Sequence, residues 1–360
     1  MAGSEKSIKI SKSEVETFRG QMLTWYDQHK RTIPWRVNKG EFPDPYKIWL
    51  SEIMCQQTTV QAVIPYFLKF IEKWPDVKSL AAADRDEIMK QWAGLGYYAR
   101  ARNLHKCAGV VANDLGCVFP DTKKELMVLP GIGDYTSSAI AAIAFSAPAT
   151  VVDGNVERIM ARYFNVQAPM PKVKPYLKKC ADHFFTEEME RPGDFAQSLM
   201  DLGAMICTPK SPKCMICPVA GKCKGRLGGA PESLPKREPK KTKPKRYGAV
   251  YWLKNEKDEI LLQNRRDTEM LGGMLGLPTS KWQEDNRKGC HEGAYEALEL
   301  ETLGKVIHSF THFDLTLDVY AGCVDNNIEV DGAQWVAYDL LQENEFPTVF
   351  KKAVRLCKAL

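Results

Sequence analysis

Two acidic residues far apart in the chain, Glu52 and Asp153, stand in contexts that push their protons in opposite directions. Glu52 falls in Trp49-Leu50-Ser51-Glu52-Ile53-Met54, about 60° around a helix from Trp49, at the edge of an apolar stripe of Tyr46, Trp49, Leu50 and Ile53. A carboxyl partly desolvated beside an indole has a raised pKa, which suits a proton donor. Taken alone, a Glu beside an apolar face is more often a solvated helix residue. Asp153, in Val152-Asp153-Gly154-Asn155, precedes a helical pattern of Val156, Ile159, Met160, Tyr163 and Phe164 and reads as its N-cap. Backbone N–H donors and the helix dipole are expected to keep it ionised. Two carboxyls with pKa values pushed apart divide the work of cleaving a glycosidic bond between an acid and an anionic stabiliser. Sequence alone does not bring them together in space.

The elements that must position them are mostly helical. Val15, Phe18, Met22, Trp25 and Tyr26 pattern an opening helix that ends near Pro34-Trp35-Arg36, and a loop follows from Asn38 to Phe42. Asp44 caps, and Pro45 opens, the helix carrying Glu52, which ends at Gln56-Gln57. Further helical segments are expected over 65–70, 79–92 and 100–111, interrupted at Gly94-Leu95-Gly96-Tyr97-Tyr98, which reads as a packing corner or as a wedge into an opened duplex. In Leu129-Pro130-Gly131-Ile132-Gly133-Asp134-Tyr135, Pro130 fixes φ while Gly131 and Gly133 are expected to supply positive φ and close backbone approach. Such a hairpin turns its N–H groups toward a phosphate, with Asp134 expected to cap the apolar helix beyond it. By itself the hairpin is equally a Pro-Gly turn between core helices.

Cys207, Cys214, Cys217 and Cys223 are separated by gaps of six, two and five residues. Four thiolates in so short a loop can wrap an iron–sulfur cluster, and a Cys-x-x-Cys with a second pair equally suits tetrahedral zinc. Pro209, Pro212 and Pro218 make this a loop rather than a core element, and Lys210, Lys213, Lys222 and Lys224 offer positive charge to phosphate. With 360 residues, more than one domain is expected. The net charge of +5 permits nucleic-acid binding without proving it, and eleven cysteines fit a reducing compartment. The longest apolar run, Ala139 to Phe145, is far too short for a membrane span, and the opening residues carry no signal-peptide or transit pattern, so no membrane association and a cytoplasmic location are expected.

After Cys223 the character changes. Gly225 to Ala230 is small and flexible, and Pro235 to Arg246 is a basic, Pro-interrupted run opposed only by Glu238, read as an extended linker. Tyr247 to Lys254 and Glu259 to Asn264 then read as a hairpin around Asn255 to Asp258, followed by strands alternating with short helices.

Taken together, the hairpin, the downstream Asp and the four-Cys loop resemble the helix-hairpin-helix, iron–sulfur DNA glycosylases. Within that group, the stretches Trp49 to Thr58, Gly94 to Arg100, Val152 to Asn155 and Asp201-Leu202-Gly203-Ala204-Met205-Ile206-Cys207 resemble the MutY family of adenine DNA glycosylases. The resemblance implies a mostly α N-terminal part over residues 1–226, a six-helix barrel with helix-hairpin-helix packed on a cluster domain whose four Cys hold [4Fe-4S]. It implies a linker over 227–246 and a smaller α/β Nudix-like C-terminal domain over 247–360, the likeness being clearest at Gly272 to Pro278. The acidic Nudix signature is absent, with Glu292, Glu296, Glu299 and Glu301 scattered on an expected helix, so recognition is favoured over pyrophosphate hydrolysis.

By the same resemblance, Glu52 protonates the leaving adenine, Asp153 stabilises the sugar cation and assists water, and Asn155 orients the site. Ile33, Trp35, Arg36 and Gln197 line the adenine pocket, Gln57 and Tyr97 wedge into the duplex, and Gly131 and Gly133 hold the DNA backbone. Relatives that also nick the strand carry a Lys where this chain has Tyr135, so one-step hydrolysis is expected, with Tyr135 close to the sugar. The family reads 8-oxoguanine with Phe-Ser-His; here Phe310-Thr311-His312 stands instead, keeping the hydroxyl and adding a methyl. The implied activity is excision of adenine opposite 8-oxoguanine or guanine in double-stranded DNA by a monomeric, nucleoid-associated bacterial enzyme. The alternatives are an oxidised-pyrimidine glycosylase with strand-nicking activity and a non-catalytic iron–sulfur DNA-binding or redox module.

Overall fold

Helix starts fall where the sequence supplies a capping side chain. Ser11, Asp44, Thr59, Asp84 and Thr122 each accept a backbone N–H two or three residues on, and set the first turns of the helices that follow. In a computed structural model that describes residues 10–38, 40–239, 242–284, 295, 297–325, 328 and 330–359, the helices run in chain order α1 (Lys12–His29), α2 (Pro45–Cys55), α3 (Val60–Lys73), α4 (Val77–Ala81), α5 (Arg85–Trp92), α6 (Ala99–Asn113), α7 (Lys123–Leu126), α8 (Asp134–Phe145), α9 (Gly154–Tyr163), α10 (Lys174–Asp182), α11 (Pro192–Met205), α12 (Lys224–Leu227) and α13 (Thr348–Lys358). The stretch expected to be helical over 79–92 is broken, because Asp84 caps a new helix after α4 has ended. The chain divides into two compact units, one drawn from Met1–Ala81 and Lys106–Pro239, the other from Ala82–His105 and Lys240–Leu360. Among the described residues no helix is long and apolar enough to cross a membrane.

In the first unit, α1, α9, α10 and α11 share a core in which the Phe18 ring lies 4.3 Å from that of Phe184 and 4.9 Å from that of Tyr163. Two glycines allow helices to touch at backbone distance. A Cβ on Gly193 of α11 would come within 2.6 Å of the Ala142 carbonyl oxygen of α8, and one on Gly203 within 2.4 Å of the Asn155 Cβ of α9. The basic run read as an extended linker begins by folding back on this unit. Buried Arg162 donates to the carbonyls of Pro231 and Leu234, and the Met170 N–H donates to the Lys236 carbonyl.

The second unit is built on a mixed six-stranded sheet of β1 (Lys245–Lys254), β2 (Glu259–Asn264), β3 (Leu275–Gly276), β4 (Glu301–Ser309), β5 (Asp314–Cys323) and β6 (Ala333–Ala337). The order is β3-β2-β1-β5-β4, with β6 also on β2; β1 and β5 are parallel and the other pairs antiparallel. The expected turn at 255–258 forms, with the Asn255 side-chain oxygen accepting the N–H groups of Lys257 and Glu259. Helix α13 buries Val349, Phe350, Ala353 and Val354 against one face, while Tyr251 stacks on Tyr295 at 4.1 Å on the other. Instead of several short helices between strands, the described part of this domain beyond β1 has α13 and 3₁₀ turns. Glu299 lies outside any helix and Glu301 opens β4, correcting the expected helical placement; Glu292 and Glu296 lie outside the described residues.

The close approach at Gly193 has a measurable cost when filled. Gly193→Ala should destabilise the protein by roughly 1–3 kcal/mol, because the methyl meets backbone that cannot rotate away. Gly20→Ala, where α1 is exposed and nothing lies within 4 Å, should stabilise by about 0.5–1 kcal/mol. Urea denaturation of the two variants beside the parent checks both signs.

Candidate active site

Glu52 sits on a helix buried nearly all round rather than along one stripe, since Tyr46 and Ile48 to Met54 are all buried. Its carboxyl accepts a hydrogen bond of 2.9 Å from the Tyr135 hydroxyl. Burial pushes Glu52 up to about 7; the Tyr135 bond opposes this, nearby Asp153 adds to it, and the Arg36 charge opposes it. The raised pKa expected from the sequence is therefore present, through desolvation of the whole helix. Tyr135 is itself raised well above its ordinary value by burial and by the two carboxyls, and stays a neutral donor.

Asp153 caps α9 as expected. It accepts the N–H groups of Asn155 and Val156 at 2.9 and 2.8 Å and the Asn155 side-chain amide at 2.7 Å. Its pKa nevertheless moves up, not down, which corrects the expectation. Burial outweighs the donors, because the carboxyl is drawn into the wall of a cavity. Arg158 locks the amide in place, donating to the Asn155 oxygen at 2.8 Å and to the carbonyls of Gly203 and Cys207 at 2.7 Å each.

At the hairpin, Gly131 takes φ +78°, but Gly133 takes φ −98° with ψ −173°, extended backbone open to any residue. Gly133 is the N-cap of α8 and offers no side chain to its first N–H groups; Asp134, expected to cap, occupies the first helical position and bridges Lys123 and Lys178 at 2.6 Å each. A Cβ on Gly133 would meet no protein atom within 4 Å.

These groups open onto one cavity of about 920 Å³, and Ile33, Trp35, Arg36 and Gln197 line it as well. Gln57 borders it with φ +57°, a left-handed conformation uncommon for a side-chain-bearing residue. Arg36 does not extend freely into the space: both terminal nitrogens of its guanidinium are held by Asp201, at 2.6 and 2.8 Å. Sequence reading passed over Asp201 and Arg31 as site residues, although an Asp inside an otherwise apolar helix was a visible signal.

Tyr97, Phe310, Thr311 and His312 belong to the second unit. Tyr97 holds φ +49°, and its hydroxyl lies 2.7 Å from the Thr311 hydroxyl. The loop is the β4–β5 turn, closed by the Phe310 N–H donating to the Phe313 carbonyl at 2.9 Å. Phe310 packs against Trp282 and Phe313, while Thr311 and His312 are exposed at the tip.

Cys207, Cys214, Cys217 and Cys223 follow α11 on a loop of 3₁₀ turns, all partly buried, and Cys217 lies within electrostatic range of the other three. Arg162 donates to the Cys207 sulfur at 3.2 Å, a contact that favours the thiolate form of that sulfur. Among the described residues no three His, Cys, Asp or Glu side chains stand around a single ion. An all-thiol donor set with a guanidinium on one sulfur suits an iron–sulfur group.

The helical fold and its hairpin define a base-excision repair class: residues 50–182 match the HhH-GPD superfamily of base excision DNA repair proteins. Residues 207–223 match the iron–sulfur binding domain of endonuclease III, and 249–356 match the NUDIX domain. The adenine DNA glycosylase of Homo sapiens is 34% identical over 96% of this chain and 74% of its own length. That of Buchnera aphidicola subsp. Baizongia pistaciae is 32% identical over 84% of each. A solved thermostable thymine-DNA glycosylase, 30% identical, superposes with TM-score 0.52 over 60% of this chain and 98% of its own. The chain belongs to the adenine DNA glycosylase family, adenine-specific DNA N-glycosylases of base excision repair, with an iron–sulfur binding loop and a Nudix-like C-terminal domain.

The raised Glu52 carboxyl makes a linkage prediction. Its folded pKa of about 7 stands above the ordinary 4.5, so the unfolded chain ionises first and stability falls as pH rises from about 4.5 to about 7, then levels. Glu52→Gln removes that loss. It should leave stability near the parent's in acid and exceed it by up to about 3 kcal/mol above neutrality, read by urea unfolding across pH.

Proposed function

We propose that this enzyme hydrolyses the N-glycosidic bond of adenine opposite 8-oxoguanine, and less selectively opposite guanine, in double-stranded DNA, acting as a monomer. The observation that carries the reading is the single cavity on which protonable Glu52, donor-held Asp153 and the aromatic and amide groups of Trp35 and Gln197 converge. Adenine, flipped out of the duplex, enters this space and stacks on the Trp35 and Ile33 wall, with Gln197 and Arg36 at its polar edge. Gly131, the bare N-terminus of α8 and Gln57 take the DNA backbone and the gap that the base leaves.

In this reading Glu52 delivers its proton to a ring nitrogen of adenine, and the bond between N9 and C1′ breaks with both electrons leaving on the now neutral base. The sugar becomes an oxocarbenium-like cation, and the Asp153 carboxylate, held by its three donors, stabilises it. Water adds to C1′, and a carboxylate takes its released proton. Asn155 holds Asp153 in place. Tyr135 keeps the Glu52 carboxyl oriented and offers no amine, so no Schiff base forms and the product is an intact abasic strand. The four Cys of the 207–223 loop would hold a [4Fe-4S] cluster, which supplies a structural clamp and no step in the hydrolysis. Thr311 and His312, exposed at their turn beside Tyr97, read the lesion.

Single-turnover base release from a duplex with one adenine opposite 8-oxoguanine tests the chemistry. Glu52→Gln and Asp153→Asn should each lower the rate by about 10²-fold or more while mispair binding persists. A variant releasing adenine at the parental rate removes that residue from the mechanism, and borohydride trapping of a stoichiometric protein–DNA adduct overturns the one-step route.

Discrimination has its own test. Thr311→Val combined with His312→Ala should reduce the preference for 8-oxoguanine over guanine by roughly 5- to 150-fold, the value of two hydrogen bonds at about 0.5–1.5 kcal/mol each. Adenine release opposite guanine should stay near the parental rate.

A further inference from the structure

Asp201, on α11 one turn beyond Gln197, has no exposed surface and carries four hydrogen bonds. Arg31 donates its backbone N–H at 3.0 Å and its Nε at 2.6 Å; Arg36 donates from both terminal nitrogens at 2.6 and 2.8 Å. Burial works against its charge, but the two arginines outweigh burial and hold Asp201 below the usual carboxylate range. Arg36 lines the cavity with Glu52, feels it electrostatically, and has both terminal nitrogens on Asp201, one of them also donating to the Arg31 carbonyl at 3.4 Å. A two-pronged guanidinium–carboxylate pair is both strong and directional. Were that fork turned to Glu52, it would stabilise the ionised form and remove the proton the site depends on.

We propose that Asp201 is a positioning residue for Glu52: by engaging both terminal nitrogens of Arg36 it keeps this cation in the pocket wall, compensates its charge, and leaves the Glu52 carboxyl available as a proton donor. The inference rests on the reading of Glu52 as the acid. The groups facing Glu52 are Tyr135 of α8, Asp153 at the start of α9, and Arg36 from the loop after α1. On its own helix, Cys55 interacts electrostatically with Tyr135. Around Arg36 and Asp201 stand Arg31 and Tyr26, whose hydroxyl burial pushes up to about 12, with Arg191 and Asp194 beyond, paired with one another.

The test follows two quantities in the full-length protein. One is the alkaline limb of the single-turnover rate on the 8-oxoguanine mispair. The other is direct infrared titration of the Glu52 carboxyl, taken as parent minus Glu52→Gln. Asp201→Asn removes the compensating anion, so both midpoints should move down by about one pH unit. Arg36→Gln removes the cation, so both should move up. Opposite shifts are a signature that loss of packing does not produce. No infrared shift, or shifts of the same sign, overturns the inference. An infrared shift with an unmoved rate profile upholds it and defeats Glu52 as the rate-determining acid instead. Should Asp201→Asn fail to fold, the upward shift in Arg36→Gln decides alone, and its absence overturns the inference.

Discussion

Two carboxyls kept from water within electrostatic range of each other set the terms for everything around them. Burial raises both Glu52 and Asp153, and Asp153 adds to the cost of charging Glu52. The protein meets that cost unevenly. Asp153 has three donors and the N-terminus of α9, so its charge has places to go, whereas Glu52 has one hydroxyl. The asymmetry that general acid chemistry needs comes from hydrogen-bond supply.

Holding such a pair requires rigid walls. Helices α8, α9 and α11 meet through Gly193 and Gly203 at distances that admit no side chain, and the polar ends they bring inside are satisfied by long arginines. Arg158 ties Asn155 to the end of α11, and Arg162 ties α9 to the cysteine loop and to the returning strap at 231–234. Buried guanidinium groups, each with several carbonyl or carboxylate acceptors, are how a largely apolar helical unit accommodates a polar cavity.

Much of this was legible in the sequence. The caps at Asp44 and Asp153, the four-Cys loop, the turn at Asn255 and the change of character after Cys223 all follow from local chemistry. What sequence missed depends on tertiary surroundings. The direction of the Asp153 shift required knowing that its helix end faces inward. Gly133 reads like Gly131 as a letter, yet only Gly131 adopts a left-handed conformation. Asp201 was quoted within a motif without a role, because its partners lie some 165 to 170 residues away. The strap at 228–239 reads as free because its anchors are mostly backbone groups, which no sequence displays, with buried Leu234 the one apolar side chain that shows.

The β4–β5 turn is fastened by the rings of Phe310 and Phe313 and by one backbone hydrogen bond, none of which involves the side chains at its tip. The Thr311 hydroxyl reaches the Tyr97 hydroxyl instead, and the His312 side chain is exposed, so neither side chain closes the turn itself. The letters at the tip can change, and with them the readout, while the turn keeps its closure, so long as position 311 retains a hydroxyl for Tyr97. A threonine at this place is a change in vocabulary rather than in architecture.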